Sequence, residues 1–320
     1  MNQSNQTTTT NFILLGLSNV PPLRALYFVL ILIIYMITLS GNLLIITVMC
    51  VSPQLRNPMY FFLSNLSCVD ILLSSSVVPQ ILVNTLTSDK SITFMGCAIQ
   101  VYILGALGVT ECVILGIMAY DRYAAICRPL HYNTIMNKNL CSNMASGSWA
   151  VSFLYGVPHV YLTFQLPFCK SNQINQFFCE VPPLLHLSCK DTWFIEIVIY
   201  SETGPVILSS FLLTLVSYIY IVSTILKISS ARGKYKTFST CASHVTVVTL
   251  FYGNILITYM QPKSNYSPER DRALSLLYTA VTPMLNPVIY TLRNNVFIAT
   301  VKESFSSRMN RISMLGKIVI

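Results

Sequence analysis

Charge is what this sequence lacks. Lysine, arginine, aspartate and glutamate make up 10% of its 320 residues, and only 11 residues are acidic. A soluble domain ordinarily carries about 25% charged residues, so a water-facing globular chain is excluded and a polytopic membrane protein is expected. Signatures of catalysis are missing as well: there is no H-E-x-x-H, no G-x-S-x-G and no phosphate-cradling glycine loop. The opening "MNQSNQTTTT" has no basic stretch, so it does not read as a cleaved signal peptide, and the first helix is expected to direct its own insertion. Internal repeats, low-complexity tracts and a second domain are likewise absent.

Apolar length is abundant. Hydrophobic residues reach 53%, and seven stretches are nearly free of charge: roughly 25–52, 58–86, 95–120, 140–165, 197–226, 238–260 and 272–292. Each attains the ~20 residues that a helix needs to span a hydrocarbon core. Backbone groups in lipid must be satisfied within their own segment, so these stretches are helices and not strands. The expected fold is an all-α seven-helix membrane bundle over residues 25–292. Residues 1–24 would precede it, and 293–320 would form a short amphipathic helix and tail.

The loops orient the bundle. Alternating them places 13 of the 20 basic residues on one side and seven on the other, so the richer side is expected in the cytoplasm. This asymmetry accounts for most of the net charge of +9 and leaves little reason to infer a nucleic-acid partner. Asn2 and Asn5 begin glycosylation sequons, useful only outside. Cys97, Cys169, Cys179 and Cys189 fall on that same side, where disulfides persist, and four cysteines permit three pairings. His186 lies between Cys179 and Cys189 and invites a metal reading, although disulfides explain the cysteines better.

A transporter, a channel and a receptor all fit seven helices. Paired broken helices in two corresponding halves, the usual mark of a transporter, are not seen. Rings of polar groups that would line a pore are also lacking, which favours the receptor.

Five motifs then occur in order at the expected helix ends, after a "GN" at 41–42. They are "PMYFFLSNLSCVD" (58–70), "MAYDRYAAICRPLHY" (118–132), "SY" (217–218), "KTFSTCASH" (236–244) and "PMLNPVIYTLRN" (283–294). Over about residues 10–306 the chain resembles the odorant receptors, a branch of the rhodopsin-like G-protein-coupled receptors. Thr237, where the family usually has alanine, and Arg128, before the Pro-Leu pair, are small departures.

The resemblance implies a small-molecule odorant, bound in the outer half, and a heterotrimeric G protein of the stimulatory type that raises cyclic AMP. A chemoreceptor for a non-volatile metabolite is the rival within the binding class. The resemblance assigns coupling and activation to Asp121, Arg122, Tyr123, Tyr218, His244, Asn286, Pro287 and Tyr290. Asp121 is expected to hold the Arg122 guanidinium through a charge-assisted hydrogen bond. Residues 227–261 contain no acid, so the second restraint that many relatives place on this arginine cannot form. Pocket positions carried over are Leu104, Gly105, Gly108, Val109, Glu202, Thr203, Val206, Tyr252, Ile255, Tyr259 and Thr279. Glu202 either faces the ligand or pairs with Lys190 or Lys170 in the loop above. The family's pattern also implies disulfides Cys97–Cys179 and Cys169–Cys189, which would pin that loop as a lid.

Asp70 and Glu111 are intramembrane acids, which are costly and usually functional. At ~1.5 Å per residue, Asp70 lies about 18 Å inward from Pro58 and Glu111 about 16 Å outward from Arg122. Two carboxylates at one depth require a shared proton or a cation, and the resemblance implies sodium, with Asn42 and Asn286 nearby. In the tail, Phe297, Val301 and Phe305 recur every four residues, so an amphipathic helix against membrane lipid is expected.

Overall fold

The computed structural model describes residues 11–16, 21–169, 171–259, 268–292 and 297–301. Among them, seven long helices dominate. Six are α1 (Pro21–Val51), α2 (Pro58–Leu86), α3 (Phe94–Cys127), α4 (Lys138–Phe164), α5 (Trp193–Lys227) and α6 (Ala231–Tyr259). The seventh, α7, runs through α-helix Pro268–Leu276, a π-helical turn at Leu277–Val281 and α-helix Thr282–Leu292. Six are long and apolar enough to cross a membrane. Although α4 has the length, Asn139, Ser142, Asn143, Ser146 and Ser148 dilute its apolar run.

Local chemistry sets the helix starts. Asn57 accepts a hydrogen bond from the Tyr60 amide, with Pro58 in the first turn, and Thr93 and Asn137 cap α3 and α4 in the same way. Several helices outrun the apolar stretches that announced them: α3 continues to Cys127, and α6 begins at Ala231. A helix propagates through polar residues until something stops it. For α3 the stop is Pro129, which pushes Arg128 out of the helical region (φ −134°, ψ 53°).

The bundle is organised around α3, where Leu107, Ile114, Leu115, Ala119 and Ala124 are fully buried. The outside is apolar too. Leu30, Ile33 and Met36 on α1, and Leu208, Leu212 and Val216 on α5, are all exposed, a surface that suits lipid and not water. At one end, both disulfides form: Cys97–Cys179 with Cα atoms 5.4 Å apart, and Cys169–Cys189 with 5.8 Å. They tie the loop between α4 and α5 to the top of α3 and to itself.

At this disulfide end the chain before α1 contributes a strand. β1 (Asn11–Leu14) lies between β2 (Ser91–Thr93) and β3 (Gln173–Ile174), antiparallel to the first and parallel to the second. Phe12 pairs with Ile92 and Leu14 with Ile174. Both inward residues of β1 are fully buried, and the Phe12 ring meets Phe168 edge-on at 5.3 Å. A four-residue "NFIL" is too short for its alternation to register against a polar leader, so this strand is not announced by its own residues. At the opposite, Arg122 end, residues 297–301 are helical, with Phe297 buried and Val301 packed against the bundle core. Their apolar side therefore meets protein, where the sequence had suggested a lipid surface; Phe305 lies outside the described residues.

Candidate functional site

Towards the disulfide end, α3 presents Leu104, Gly105, Gly108 and Val109. Leu104 and Val109 are buried, whereas a Cβ built on Gly105 would meet nothing within 4 Å. A Cβ on Gly108 would come 3.0 Å from the Tyr278 hydroxyl of α7, so glycine is what allows that tyrosine to approach. Ile255 packs, partly buried, against the core, and Val206 is half-buried on α5. Thr279 is fully buried and gives its hydroxyl to the Ser275 carbonyl at 2.7 Å. The side chain of Tyr259, together with Asn2, Asn5 and Lys170, lies outside the described residues.

Glu202 has a partner that the sequence reading did not name. Its Oε2 lies 3.1 Å from Nε2 of His159 on α4, while the Tyr155 hydroxyl donates to Thr203 Oγ1 at 3.3 Å. The lid lysine 190 cannot compete, because Glu202 sits nine residues below Trp193, about 13 Å down the helix. A lone histidine on a polar-diluted helix gave no cue.

Beneath this region three helices meet at one hydroxyl. Tyr252 on α6 donates to Ser210 Oγ on α5 at 3.0 Å and lies 3.7 Å from Cys112 Sγ on α3. Ser210 in turn donates to the Cys112 carbonyl at 2.6 Å. Its Oγ stands where a Cβ on Gly116 would fall, so this contact between α3 and α5 requires glycine there.

At the Arg122 end, Arg122 is 8% exposed and Asp121 fully buried. Their closest approach is 3.6 Å, too long for a hydrogen bond. The expected charge-assisted bond is replaced by a looser ion pair, and Asp121 Oδ1 instead accepts from the Tyr132 hydroxyl at 2.7 Å. Tyr132 closes the motif at 118–132, so this signal was legible but unused. On α6, His244 Nε2 faces the Leu115 carbonyl at 3.2 Å and Nδ1 faces the Tyr218 hydroxyl at 2.7 Å. A carbonyl can only accept, so Nε2 carries the proton and Nδ1 accepts from Tyr218. One histidine thereby joins α3, α5 and α6. Tyr123 lies against Tyr220 with ring centres 5.7 Å apart and planes tilted by 57°, and Tyr290 is buried with no hydrogen-bond partner for its hydroxyl among the described residues. Pro287 packs against Gly41, where a Cβ would approach within 3.0 Å.

Midway between the two ends lie Asp70 and Glu111, both essentially buried and close enough to repel. Asn286 Nδ2 donates to both Asp70 oxygens, at 3.0 and 3.1 Å. Asn42 Nδ2 donates to the carbonyls of Thr38 and Pro283, and among the described residues the amide oxygens of Asn42 and Asn286 have no hydrogen-bond partner. Acceptors therefore outnumber donors in this buried region. That imbalance suits a small hard cation with oxygen ligands.

A family model described as olfactory receptor matches residues 31–308. Olfactory receptor 5AP2 of Mus musculus is 49% identical over 299 residues, which span 93% of this chain and 94% of that protein. Olfactory receptor 5G3 of Homo sapiens is 46% identical, covering 97% of this chain and 98% of its own length. Olfactory receptor 2H2 of Homo sapiens, at 47% identity, covers 91% and 93%.

Proposed function

The chain belongs to the olfactory receptor family, a multi-pass membrane receptor and not an enzyme, and from that premise we propose that it detects a small, mostly apolar ligand in the half of the bundle nearer the disulfides. That end faces outside, and the Arg122 end meets a stimulatory-type G protein and raises cyclic AMP. The observation that carries the reading is the contact of α3, α5 and α6 at Tyr252, set between two other features. On one side is the glycine-faced stretch of α3; on the other is the His244 junction of the same three helices. A ligand that displaces α6 at the first junction strains the second, which lies beside Arg122. Apolar walls with a few hydroxyls suit a ligand whose affinity comes chiefly from buried carbon surface.

Asp70, Glu111, Asn42 and Asn286 would hold sodium in the resting receptor, and the surplus of buried acceptors supports this. Asn2 and Asn5 would carry glycans on the outer side. The test is a cyclic AMP screen of odorants on cells that express the full chain. A concentration-dependent rise supports the reading. Counterflow of a labelled solute, independent of G protein, would support a transporter instead.

A further inference from the structure

An acid within a membrane helix calls for a countercharge, and Glu202 has no permanent one. The only lysine or arginine on α3 is Arg122, on α4 Lys138 and on α5 Lys227, all at the opposite end of the bundle. The basic group beside it is His159, with Nε2 3.1 Å from Oε2. That approach is close but poorly directed: both atoms are buried, and neither has a hydrogen-bond partner among the described residues. Buried polar atoms left unmatched cost free energy that a suitable donor recovers. The Glu202 side chain is still 35% exposed, against 13% for His159, so the carboxylate is the side open to approach. Tyr155 holds both members in place. Its ring meets the imidazole edge-on at 4.7 Å, and its hydroxyl donates to Thr203, the neighbour of Glu202, at 3.3 Å.

Open space lies at the same level. Ser210 and Cys112 touch; from there Glu202 is ~12 Å along α5 and Gly105 ~10.5 Å along α3, both towards the disulfide end. A count from α4 agrees. Gly156, one turn from His159, packs on Tyr102, where a Cβ would come 3.0 Å from the ring, and Tyr102 lies one turn from Gly105. Between buried Leu104 and Ala106, Gly105 is exposed, and a Cβ there would meet nothing within 4 Å. The central helix is therefore open where the polar pair stands level with it.

We propose that Glu202 and His159 are the polar anchor of the ligand site, and that the ligand class they select is a small aliphatic amine. The proposal rests on the reading of this half of the bundle as the ligand site and names the ligand's head group. An ammonium brings the positive charge that Glu202 lacks. Its N–H groups serve the carboxylate and also His159 Nε2, which accepts when the neutral imidazole carries its proton on Nδ1. The alkyl chain then occupies the space beside Gly105. An alcohol of the same length offers one donor and no charge. A carboxylate offers only acceptors and is repelled by Glu202.

The test reads the melting temperature of the purified full chain in lipid nanodiscs against rising hexylamine, hexanol or hexanoate at neutral pH and fixed ionic strength. Hexylamine should stabilise at about tenfold lower concentration than hexanol, because a charge-assisted bond is about twice as strong as a neutral one. Hexanoate should be the weakest. Glu202→Gln should bring hexylamine to the concentration that hexanol needs. His159→Gln keeps an acceptor beside Glu202 and should retain most of the amine's advantage, whereas His159→Leu should lose part of it. Four results would each overturn the proposal: no stabilisation by hexylamine, equal potency of hexylamine and hexanol, a preference for hexanoate, or an amine advantage unchanged in Glu202→Gln. None of them touches the receptor reading, which fails separately if no odorant raises cyclic AMP in cells that express the chain.

Discussion

Replacing Tyr252 by phenylalanine removes one oxygen from the point where α3, α5 and α6 meet. The ring keeps its neighbours, Phe211 and Phe251, each with its centre 5.2 Å away, so no cavity opens. What goes is the 3.0 Å bond to Ser210 Oγ and the weaker contact with Cys112 Sγ. Ser210 keeps its own donation to the Cys112 carbonyl, so no buried donor is orphaned and the cost is that of one neutral bond, ~1 kcal/mol. If the bond belongs to the resting arrangement and breaks when α6 moves, its loss favours the active state by the same amount. The active fraction is small without ligand, so basal signalling should rise about fivefold. The assay is ligand-free cyclic AMP, normalised to receptor at the cell surface. Ser210→Ala loses this bond and also the donation to the Cys112 carbonyl, so its baseline should rise at least as much, and adding Tyr252→Phe to it should raise the baseline little further, because the bond that Tyr252→Phe removes is already gone. A Tyr252→Phe baseline equal to wild type, or a full fivefold further rise when Tyr252→Phe is added to Ser210→Ala, would refute the reasoning.

Gly108→Leu places a side chain against the Tyr278 hydroxyl, already 3.0 Å from the position of a Cβ; overpacking of ~1–3 kcal/mol should shift an agonist's dose–response about tenfold or more at matched expression. Glu180, where the lid meets α7, accepts from Gln176 at 2.8 Å and Ser275 at 3.2 Å, and burial raises its pKa above the ordinary carboxylate range. A raised carboxylate stabilises the fold below its unfolded value and loses that contribution as pH rises through the folded value. Melting temperature should therefore fall across that window in the wild type and lose this component in Glu180→Gln. Sodium at constant ionic strength should raise the melting temperature of the ligand-free receptor, and Glu111→Gln should abolish the effect; indifference of the wild type to sodium would leave a shared proton as the account of Asp70 and Glu111.

The bundle was legible because charge-free length is a direct physical signal, and it named all seven helices to within a few residues at most ends. Helix ends were less accurate where polar residues prolong a helix, as at Ala231 and Cys127, since hydropathy reports lipid contact and not backbone geometry. The acids at positions 70 and 111 were placed at one depth by counting alone. Partners set by tertiary packing were not legible: His159 for Glu202, and Ser210 with Cys112 for Tyr252. Each joins residues on different helices, and the rotation of one helix against another leaves no mark in a single sequence. The β1 strand was hidden for a related reason: its alternation is too short, and its partners lie roughly 80 and 160 residues away.

The most direct measurement of the central claim is the cyclic AMP response of wild type and Arg122→Ala to the same activating odorant, at equal surface expression. The account predicts a concentration-dependent rise in the wild type and none in the variant, with ligand binding retained in both. A full response in Arg122→Ala would contradict it.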